Sequence, residues 1–391
     1  MKILICNAGS TSLKYKLWDM PSFACLAEGK QEKVGSEDAI YSYTRGEYKK
    51  KNVLPIKSYA DGISMFLSDL TGEYGAIRAL TEICAVGFKT VLSKGHYGVH
   101  EIDEEVKQGM RDFMSVAPAH NGPYLAAIEL FEKLLPDARR IGVFETAFHA
   151  TIPDEYRIYP LPYEWYEKYG VRRMGYHGAS HGYIAKKLSG NKRIISCHLG
   201  GSGSICAILD GKSIDNSFGL SLQAGVCNAK RTGDADMFVI PYLLSCGLTM
   251  DEIIKGMTEN GGMKGISGTS GDMRDVLAAI EQGSERAELA LKIYAAGIVR
   301  YIGAYYMELG GADAIAFTGG VGENCAPLRK MVLDKLACIG LKYDEEKNMT
   351  LKGEGVLSTP DSAVQVHVIP ANEEYMVVKA AYQLMTGEEV E

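Results

Sequence analysis

The chain has 391 residues, of which 46% are hydrophobic and 23% charged, so it can bury a large core and we expect two domains. A net charge of −7 without a long basic stripe argues against a nucleic-acid partner, and residues 49–51, three lysines, are interpreted as a solvated loop. The sequence has no secretory segment and no apolar run of the roughly 20 residues that span a bilayer. We therefore expect a cytoplasmic protein with no membrane role.

The first predicted element is an apolar strand at residues 3–6, which runs into a turn of small residues and a second strand. A glycine in such a turn lets backbone N–H groups face an anion. Ser10 and Ser12 supply hydroxyl groups there, and Lys14 supplies a cation. The segment therefore predicts a phosphate-binding hairpin.

Two later segments resemble this hairpin. A strand at residues 193–198 leads into a Gly/Ser turn and a second strand at 205–209, and a third apolar strand, at 314–317, ends in a glycine-rich loop. Glycines in such loops allow a ligand to approach the backbone closely, although each one alone also fits a plain turn. The glycines concerned are Gly200, Gly201, Gly319, Gly320 and Gly322. Three loops of this kind at strand ends predict a duplicated nucleotide-binding fold.

Helical patterns separate these strands. Apolar residues at helical spacing predict a helix over residues 124–135, ended by a proline, and a long helix over 285–309, closed by two glycines. A last helix is predicted over residues 373–385. Alternating helices and strands indicate an α/β architecture.

Seven motifs in chain order resemble those of the acetate kinase family, which belongs to the actin-like superfamily of sugar kinases and the Hsp70 ATPase. They are residues 7–14, 117–121, 144–149, 176–181, 230–234, 317–324 and 370–374. The resemblance runs nearly end to end. It implies a duplicated actin-like, ribonuclease H-like fold with two mixed central sheets flanked by helices. The implied domains are residues 1–147 plus 374–391, and a nucleotide-binding domain of residues 148–373.

The resemblance also implies an activity. Members of the family transfer a phosphoryl group reversibly between ATP and a short-chain carboxylate, which gives an acyl phosphate and ADP. The implied cofactor is Mg²⁺, with Mn²⁺ as an alternative. The implied assembly is a homodimer whose active sites lie between the two domains.

Phosphoryl transfer depends on cations and hydrogen-bond donors placed around the moving phosphoryl oxygens. Arg231 matches the family's arginine that stabilises the transferring group, with a surface salt bridge as the alternative. His177 and His120 match histidines beside the phosphoryl group and would donate hydrogen bonds, unless they are satisfied core histidines. Glu145 stands where the family has an aspartate that orients the metal or an arginine. His181, one helical turn after His177, is interpreted as structural.

The resemblance also implies the metal and nucleotide positions. Mg²⁺ takes carboxylate oxygens through few direct contacts and several waters. Glu373 matches a magnesium-linked glutamate, although its charge would also complement a helix N-terminus. Asn7 and Lys14 match metal and phosphate positions. The remaining implied nucleotide residues are Ser10, Ser12, His198, Gly200, Gly201, Asp272, Met273, Arg274, Gly319, Gly320, Gly322 and Asn324.

Departures from the family pattern cluster where the acid would bind. Lys89 replaces a substrate-binding arginine, so a point charge replaces a bidentate fork. Glu145 is one methylene longer than the aspartate it replaces, so we expect Lys89 and Glu145 to meet. Gly201 replaces an asparagine, which leaves the phosphoryl donor and the rate open.

The apolar wall around the acid also differs. Val91 belongs to this predicted wall, and Ala119, Tyr176 and Leu222 stand where the family has leucine, phenylalanine and proline. The Tyr176 hydroxyl, if buried, would need a partner and would favour a polar substituent on the acid. These changes predict an acid other than acetate, with neutral drift and compensating packing as the alternative.

Three other functions stay open. Lys89, Glu145 and Gly201 also fit a catalytically weakened, nucleotide-binding paralogue that acts as a regulatory or interaction protein. A kinase of a hydroxyl group would need a general-base aspartate, which the aligned site lacks. Pyrophosphate as the phosphoryl donor is a further alternative, although the loop at residues 317–324 favours a nucleotide.

Overall fold

The computed structural model describes residues 1–9 and 12–389, without the side chains of residues 118 and 119. Ser10 and the side chain of Ala119, both predicted to contact a ligand, lie outside this description. Contacts between Cα atoms divide the chain into two compact units. We call Met1–Ala147 with Asn372–Glu391 the N-terminal unit, and Phe148–Ala371 the central unit.

The N-terminal unit contains an eight-stranded sheet in the order β5-β4-β3-β2-β1-β6-β8-β7. Its strands are β1 Lys2–Gly9, β2 Ser12–Asp19, β3 Ala24–Glu32, β4 Ser36–Arg45, β5 Tyr48–Ile56, β6 Ile83–Phe88, β7 Val99–Glu101 and β8 Arg139–Val143. Its helices are α1 Tyr59–Thr71, α2 Glu104–Asp112, α3 Pro118–Leu134 and the last helix of the chain, α15 Glu373–Thr386.

One part of the core of this unit lies between its sheet and α15. Four consecutive residues of β1 are buried, as in a central strand that is covered on both faces. On one face, Val377, Val378 and Ala381 of α15 pack against Ile3 and Ile5 of β1. This packing fixes α15, and with it Glu373 at the start of the helix, against the strand that contains Asn7 near its end.

The central unit contains a six-stranded sheet in the order β11-β10-β9-β12-β14-β13. Its strands are β9 Arg193–Leu199, β10 Gly203–Leu209, β11 Lys212–Asn216, β12 Ala314–Thr318, β13 Gly355–Val356 and β14 Gln365–Val368. Its helices are α4 Asp154–Arg157, α5 Tyr163–Tyr169, α6 Gly178–Lys187, α7 Val239–Ser245, α8 Met250–Thr258, α9 Gly262–Ser267, α10 Met273–Glu281, α11 Glu285–Glu308, α12 Gly319–Asn324, α13 Ala326–Leu333 and α14 Glu345–Thr350.

The two sheets share one topology. In each, three antiparallel strands are followed by two strands parallel to the first, of which one pairs with the first strand and the other with that neighbour. The order β3-β2-β1-β6-β8 therefore corresponds to β11-β10-β9-β12-β14. Both sheets are mixed and flanked by helices, and the predicted duplicated actin-like fold is confirmed. Within residues 1–9 and 12–389, no helix is long and apolar enough to cross a membrane.

Several local predictions need correction. Residues 49–51 are not a loop but part of β5, where Lys50 Nζ lies 3.0 Å from Asp69 Oδ1. Lysines on an edge strand protect it from pairing with other chains, which explains the loop-like composition. Residues 319–324 form the short helix α12 rather than a loop, and α3 begins at Pro118, well before residue 124. The predicted helices over 285–309 and 373–385 are confirmed as α11 and α15.

Candidate active site

In the N-terminal unit, the ammonium group of Lys89 lies between two carboxylates. Lys89 Nζ is 2.6 Å from Glu145 Oε1 and 2.9 Å from Glu373 Oε2. The three side chains are 14%, 6% and 18% exposed, respectively. Burial lowers the pKa of Lys89, but Glu145 and then Glu373 outweigh it and hold that pKa well above its usual value. The expected contact between Lys89 and Glu145 is confirmed, and Lys89 remains a cation.

Backbone hydrogen bonds and element ends place these groups. Lys89 follows β6, and Glu145 follows β8 with its N–H donating to Thr90 O at 2.9 Å. Glu373 is the first residue of α15, where a carboxylate also complements the helix dipole. Asn7 lies near the end of β1, and its Oδ1 accepts a hydrogen bond from Tyr124 Oη at 2.9 Å.

This donor set fits Mg²⁺. The carboxylates of Glu145 and Glu373 and the amide oxygen of Asn7 are the hard oxygen ligands that Mg²⁺ prefers. Both carboxylates already form an ion pair with a cation, the ammonium group of Lys89. The described part of the chain has no group of three or more His, Cys, Asp or Glu that could hold a metal ion. The residues therefore suit a metal held by few protein oxygens, with water and phosphate oxygens completing its shell.

The other predicted residues of the N-terminal unit occupy separate elements. Lys14 is exposed on β2, paired in register with Asn7. Ser12 begins β2, and Val91 is buried in the segment after β6. His120 lies in the first turn of α3, with its backbone N–H donating to Ala117 O at 3.1 Å. Lys14 and Asn7 also line a small cleft of about 340 Å³ on this sheet.

In the central unit, His177 is held in a strained turn before α6. Its backbone adopts the left-handed conformation, φ 58°, which a residue other than glycine rarely takes unless its surroundings impose it. His149 Nε2 lies 2.9 Å from Tyr176 O, the carbonyl that precedes this turn. His177 Nδ1 lies 2.9 Å from Ser204 Oγ, and its ring centre is 4.1 Å from that of His198.

Arg231 is a cation without a carboxylate partner in the described part of the chain. Its Nη2 donates to Ser202 Oγ at 2.5 Å, and its guanidinium carbon lies 5.9 Å from the centre of the Phe218 ring. Burial lowers the pKa of Arg231 to about 10, so the group stays charged at neutral pH. Because a partly buried charge is stabilised by a counter-charge, this position favours the binding of an anion.

The central unit also contains a cavity of about 740 Å³, a size typical of ligand pockets. It brings together seven of the predicted nucleotide residues, which are Gly200, Gly201, Asp272, Met273, Arg274, Gly320 and Asn324. Gly319, at φ 77°, is buried beneath this cavity, and a Cβ atom there would lie 2.7 Å from Leu199 O. At Gly201 no atom lies within 4 Å of an added Cβ, so packing does not require glycine in place of the family's asparagine.

Several polar groups at the site in the central unit were not predicted from the sequence. Asn228, Lys230 and Ser270 line the cavity, and Ser204 contacts His177. Lys230 stood beside Arg231 in a recognised motif, which was an available signal. The others stand in Gly/Ser-rich or loop segments, where sequence alone does not show which side chains face a ligand.

The Tyr176 hydroxyl has a partner inside the central unit. Tyr176 is fully buried, and its Oη donates to Leu220 O at 2.5 Å. The hydroxyl therefore needs no polar group on the acid, and the expected preference for a polar acid loses its physical basis. Leu222 is buried two residues after Leu220.

The chain matches the model of the Acetokinase family over residues 2–379. Acetate kinases of Clostridium novyi (strain NT) and Bacillus subtilis (strain 168) are each 40% identical to it, over 98% of this chain and 98% and 99% of those proteins. The crystal structure of Porphyromonas gingivalis acetate kinase is similar, with a TM-score of 0.89 and 36% identity over 98% of this chain and all of that one.

A propionate kinase from Francisella tularensis subsp. tularensis is equally similar in structure, with a TM-score of 0.89 and 30% identity over 97% of this chain and 98% of that one. The chain belongs to the acetokinase family. Its similarity to kinases of two different acids leaves the choice of acid to the residues of its own site.

Proposed function

We propose that this chain transfers a phosphoryl group reversibly between ATP and a short-chain carboxylate, which yields an acyl phosphate and ADP. Family membership supports the reaction class. The observation that supports this reaction at this site is that Arg231, a partly buried cation, donates a hydrogen bond to a neutral group, the hydroxyl of Ser202. A phosphoryl group in transfer supplies the missing negative charge, spread over three oxygens.

The central unit would stabilise the transferring group. Arg231 would bind phosphoryl oxygens through its planar fork, and His177 would donate a hydrogen bond to another. From the N-terminal unit, His120 on α3 would add a second donor. The cavity lined by Asp272, Met273 and the glycines would hold the nucleoside, and His198 would lie beside His177 near the phosphates.

The N-terminal unit would hold the acid and the metal. An ammonium group has three N–H donors, and those of Lys89 that face Glu145 and Glu373 account for two. The third would bind the carboxylate of the acid beside the apolar side chain of Val91. Asn7 and Glu373 would bind Mg²⁺, which neutralises nucleotide phosphate charge when bound. Manganese prefers the same oxygen ligands and is a second candidate.

The acid is proposed to differ from acetate. The point charge of Lys89 replaces a fork, and Ala119 and Leu222 change the apolar wall. One methylene-sized change in such a wall alters selectivity about 10–200-fold, which is large enough to measure.

The experiment is a panel assay of ADP release from ATP and Mg²⁺ by the purified protein. The acids are acetate, propionate, butyrate, and hydroxy, amino and dicarboxylic acids, each repeated with Arg231→Ala as the control. We expect turnover that depends on an added acid, strongest with an acid other than acetate, and lost in Arg231→Ala. A preference for acetate would make the wall changes neutral drift. Nucleotide binding without turnover of any acid would instead support the regulatory paralogue, which no structural observation favours.

We also propose that two copies of the chain associate. Six large apolar side chains on and around α7 and α8 are 39–75% exposed, namely Met237, Phe238, Tyr242, Leu248, Met250 and Ile254. Exposed apolar clusters of this kind mark protein interfaces, and a second copy is the occupant that the family resemblance implies. The test is the molar mass in solution. We expect a dimer that Phe238→Asp converts to a monomer, and a wild-type monomer would overturn the proposal.

A further inference from the structure

A buried chain of serine and histidine side chains leads to His177 within the central unit. Ser196 Oγ lies 2.8 Å from His181 Nδ1, and His181 Nε2 lies 2.8 Å from Ser204 Oγ. Ser204 Oγ then lies 2.9 Å from His177 Nδ1. Ser196, His181 and Ser204 are fully buried. Ser204 therefore connects the strained turn at His177 to a histidine in the core.

Simple counting limits the protons in this chain to two arrangements. Burial, followed by the neighbouring His149 and His198, holds the pKa of His181 well below its usual value, so its imidazole is neutral. A neutral imidazole has one N–H and one accepting nitrogen, and a serine hydroxyl has one proton. When Ser204 donates to His177 Nδ1, it can accept from His181 Nε2–H, and Ser196 then donates to His181 Nδ1. All three hydrogen bonds are satisfied in this arrangement, and the proton of a neutral His177 then lies on Nε2. The reverse arrangement, in which His177 Nδ1–H donates to Ser204 and Ser204 donates to His181 Nε2, satisfies the same three bonds but leaves no N–H on Nε2 of a neutral His177. Only the first arrangement lets His177 donate from Nε2 to a phosphoryl oxygen.

A neighbouring pair shows the same arrangement. Ser213 Oγ lies 2.8 Å from His149 Nδ1, and His149 Nε2 lies 2.9 Å from Tyr176 O. A carbonyl oxygen can only accept, so the proton of His149 lies on Nε2 and Ser213 donates to Nδ1. In that pair, the serine hydroxyl fixes the imidazole so that Nε2–H faces an oxygen acceptor.

We propose that Ser204 is a positioning residue that fixes the tautomer of His177, with the imidazole proton on Nε2, ready to be donated in a hydrogen bond to a phosphoryl oxygen. The role rests on the proposed phosphoryl transfer. Ser204 is well placed for it because it belongs to β10, where it pairs in register with His198 of β9. His198 in turn is held by Ser180, whose Oγ lies 2.8 Å from His198 Nδ1.

The first test is the tautomer itself, measured by ¹⁵N NMR of histidine-labelled full-length protein, in which nitrogen shifts and two-bond couplings distinguish Nδ1–H from Nε2–H. We expect His177 in the Nε2–H form in the native protein, and a mixture of tautomers in Ser204→Ala. In the acid assay, we expect kcat of Ser204→Ala to fall by the same factor as the Nε2–H fraction measured by NMR, about 10-fold where one tenth of His177 keeps its proton on Nε2, with KM for ATP unchanged.

The matched control is Ser213→Ala, which removes a buried Ser–His hydrogen bond of the same length from the neighbouring pair. We expect it to leave the tautomer of His177 unchanged and kcat within twofold. A native His177 in the Nδ1–H form, or a Ser204→Ala protein with an unaltered His177 tautomer, would overturn the proposal. An equal loss of kcat in both variants would also overturn it, because the hydroxyl would then act only through packing. If the wild-type protein phosphorylates no acid, the proposed function fails while the NMR result still decides the tautomer.

Discussion

Two cations of the proposed site, Lys89 in the N-terminal unit and Arg231 in the central unit, have opposite surroundings. In the N-terminal unit, Lys89 contacts two carboxylates, which raise its pKa in spite of burial. In the central unit, Arg231 contacts a hydroxyl group and an aromatic ring, and burial lowers its pKa. Removal of a cation already balanced by the protein leaves its carboxylates unpaired and costs stability, whereas an unbalanced cation is stabilised by an incoming anion. We therefore expect loss of Arg231 to lower activity without lowering stability, and loss of Lys89, which would also bind the acid, to lower both.

The largest expected effect is that of Arg231→Met on activity. Loss of a cation that stabilises phosphoryl oxygens lowers kcat by about 10³-fold. The melting temperature should stay the same or rise, because the variant removes a partly buried charge that has no carboxylate partner in the described chain. Steady-state kinetics and thermal unfolding measure the two effects.

A contrasting variant is Arg173→Met in the same unit. Arg173 Nε lies 3.1 Å from Asp215 Oδ1, so this change leaves a buried carboxylate without its cation and should lower the melting temperature. If Arg231→Met instead destabilises the protein as much as Arg173→Met, then Arg231 is a structural residue and the comparison between the two units is wrong.

The second-largest expected effect is the loss of stability caused by Lys89→Met in the N-terminal unit. Lys89→Met leaves two largely buried carboxylates without their cation and should lower the free energy of unfolding by about 3 kcal/mol. In a double-mutant cycle with Glu145→Leu, we expect a coupling energy above about 1 kcal/mol. Denaturant unfolding of the four proteins gives this value.

The control pair is Lys168 and Glu164 on α5, whose Nζ and Oε2 are 3.3 Å apart but whose side chains are 64% and 60% exposed. An exposed pair at this spacing couples by about 0.3–0.5 kcal/mol. A coupling between Lys89 and Glu145 no larger than that of the control would show that the ammonium is not balanced by Glu145.

The contact between Lys89 and Glu145 could be predicted from sequence because two changes of side-chain length compensated each other. The duplicated fold was likewise evident, since its repeated strand, turn and strand pattern is local. The strand at residues 49–51 could not be predicted, because an edge strand with lysines on both faces of the sheet has the composition of a loop. Helix α12 was missed for the same reason, since its glycines predict a turn.

Two other contacts between distant segments could not be predicted. The partner of the Tyr176 hydroxyl is a backbone carbonyl 44 residues along the chain, and any residue type can supply a carbonyl. Ser204 follows a glycine-rich turn, and its role depends on two histidines, His177 in the turn before α6 and His181 within α6. Such contacts arise from packing, which no local pattern encodes.

A smaller effect is expected for Tyr176→Phe, which restores the family residue. The variant loses one hydrogen bond, to Leu220 O, and should be less stable by about 1 kcal/mol. Because the hydroxyl is already bonded within the central unit, the order of acids by kcat/KM should not change. If kcat/KM for hydroxy acids falls more than tenfold relative to kcat/KM for acetate, the Tyr176 hydroxyl contacts the substrate after all.

The smallest effect tests whether the central unit also holds unbalanced negative charge. Burial is the main cause that raises the pKa of Asp215 from 3.8 to about 6 and that of Glu308 from 4.5 to about 7, with Arg173 opposing it in both cases. A carboxyl group with a raised pKa binds its proton more tightly in the folded protein than in the unfolded chain. Its stabilising contribution is therefore complete below about pH 4 and is lost as the pH rises through 6 and 7.

Between pH 5 and pH 8, the melting temperature of the wild type should accordingly change less favourably than that of Glu308→Gln, by about 2 °C. The buried His149 and His181, whose pKa values are lowered by burial, act in the opposite direction and equally in both proteins. Lys89 adds no slope in that range, because its pKa is raised well above 10.5. The difference between wild type and variant isolates Glu308 from all other titrating groups. An identical change in both proteins would show that the pKa of Glu308 is not raised in the folded protein, because Arg173 balances its negative charge.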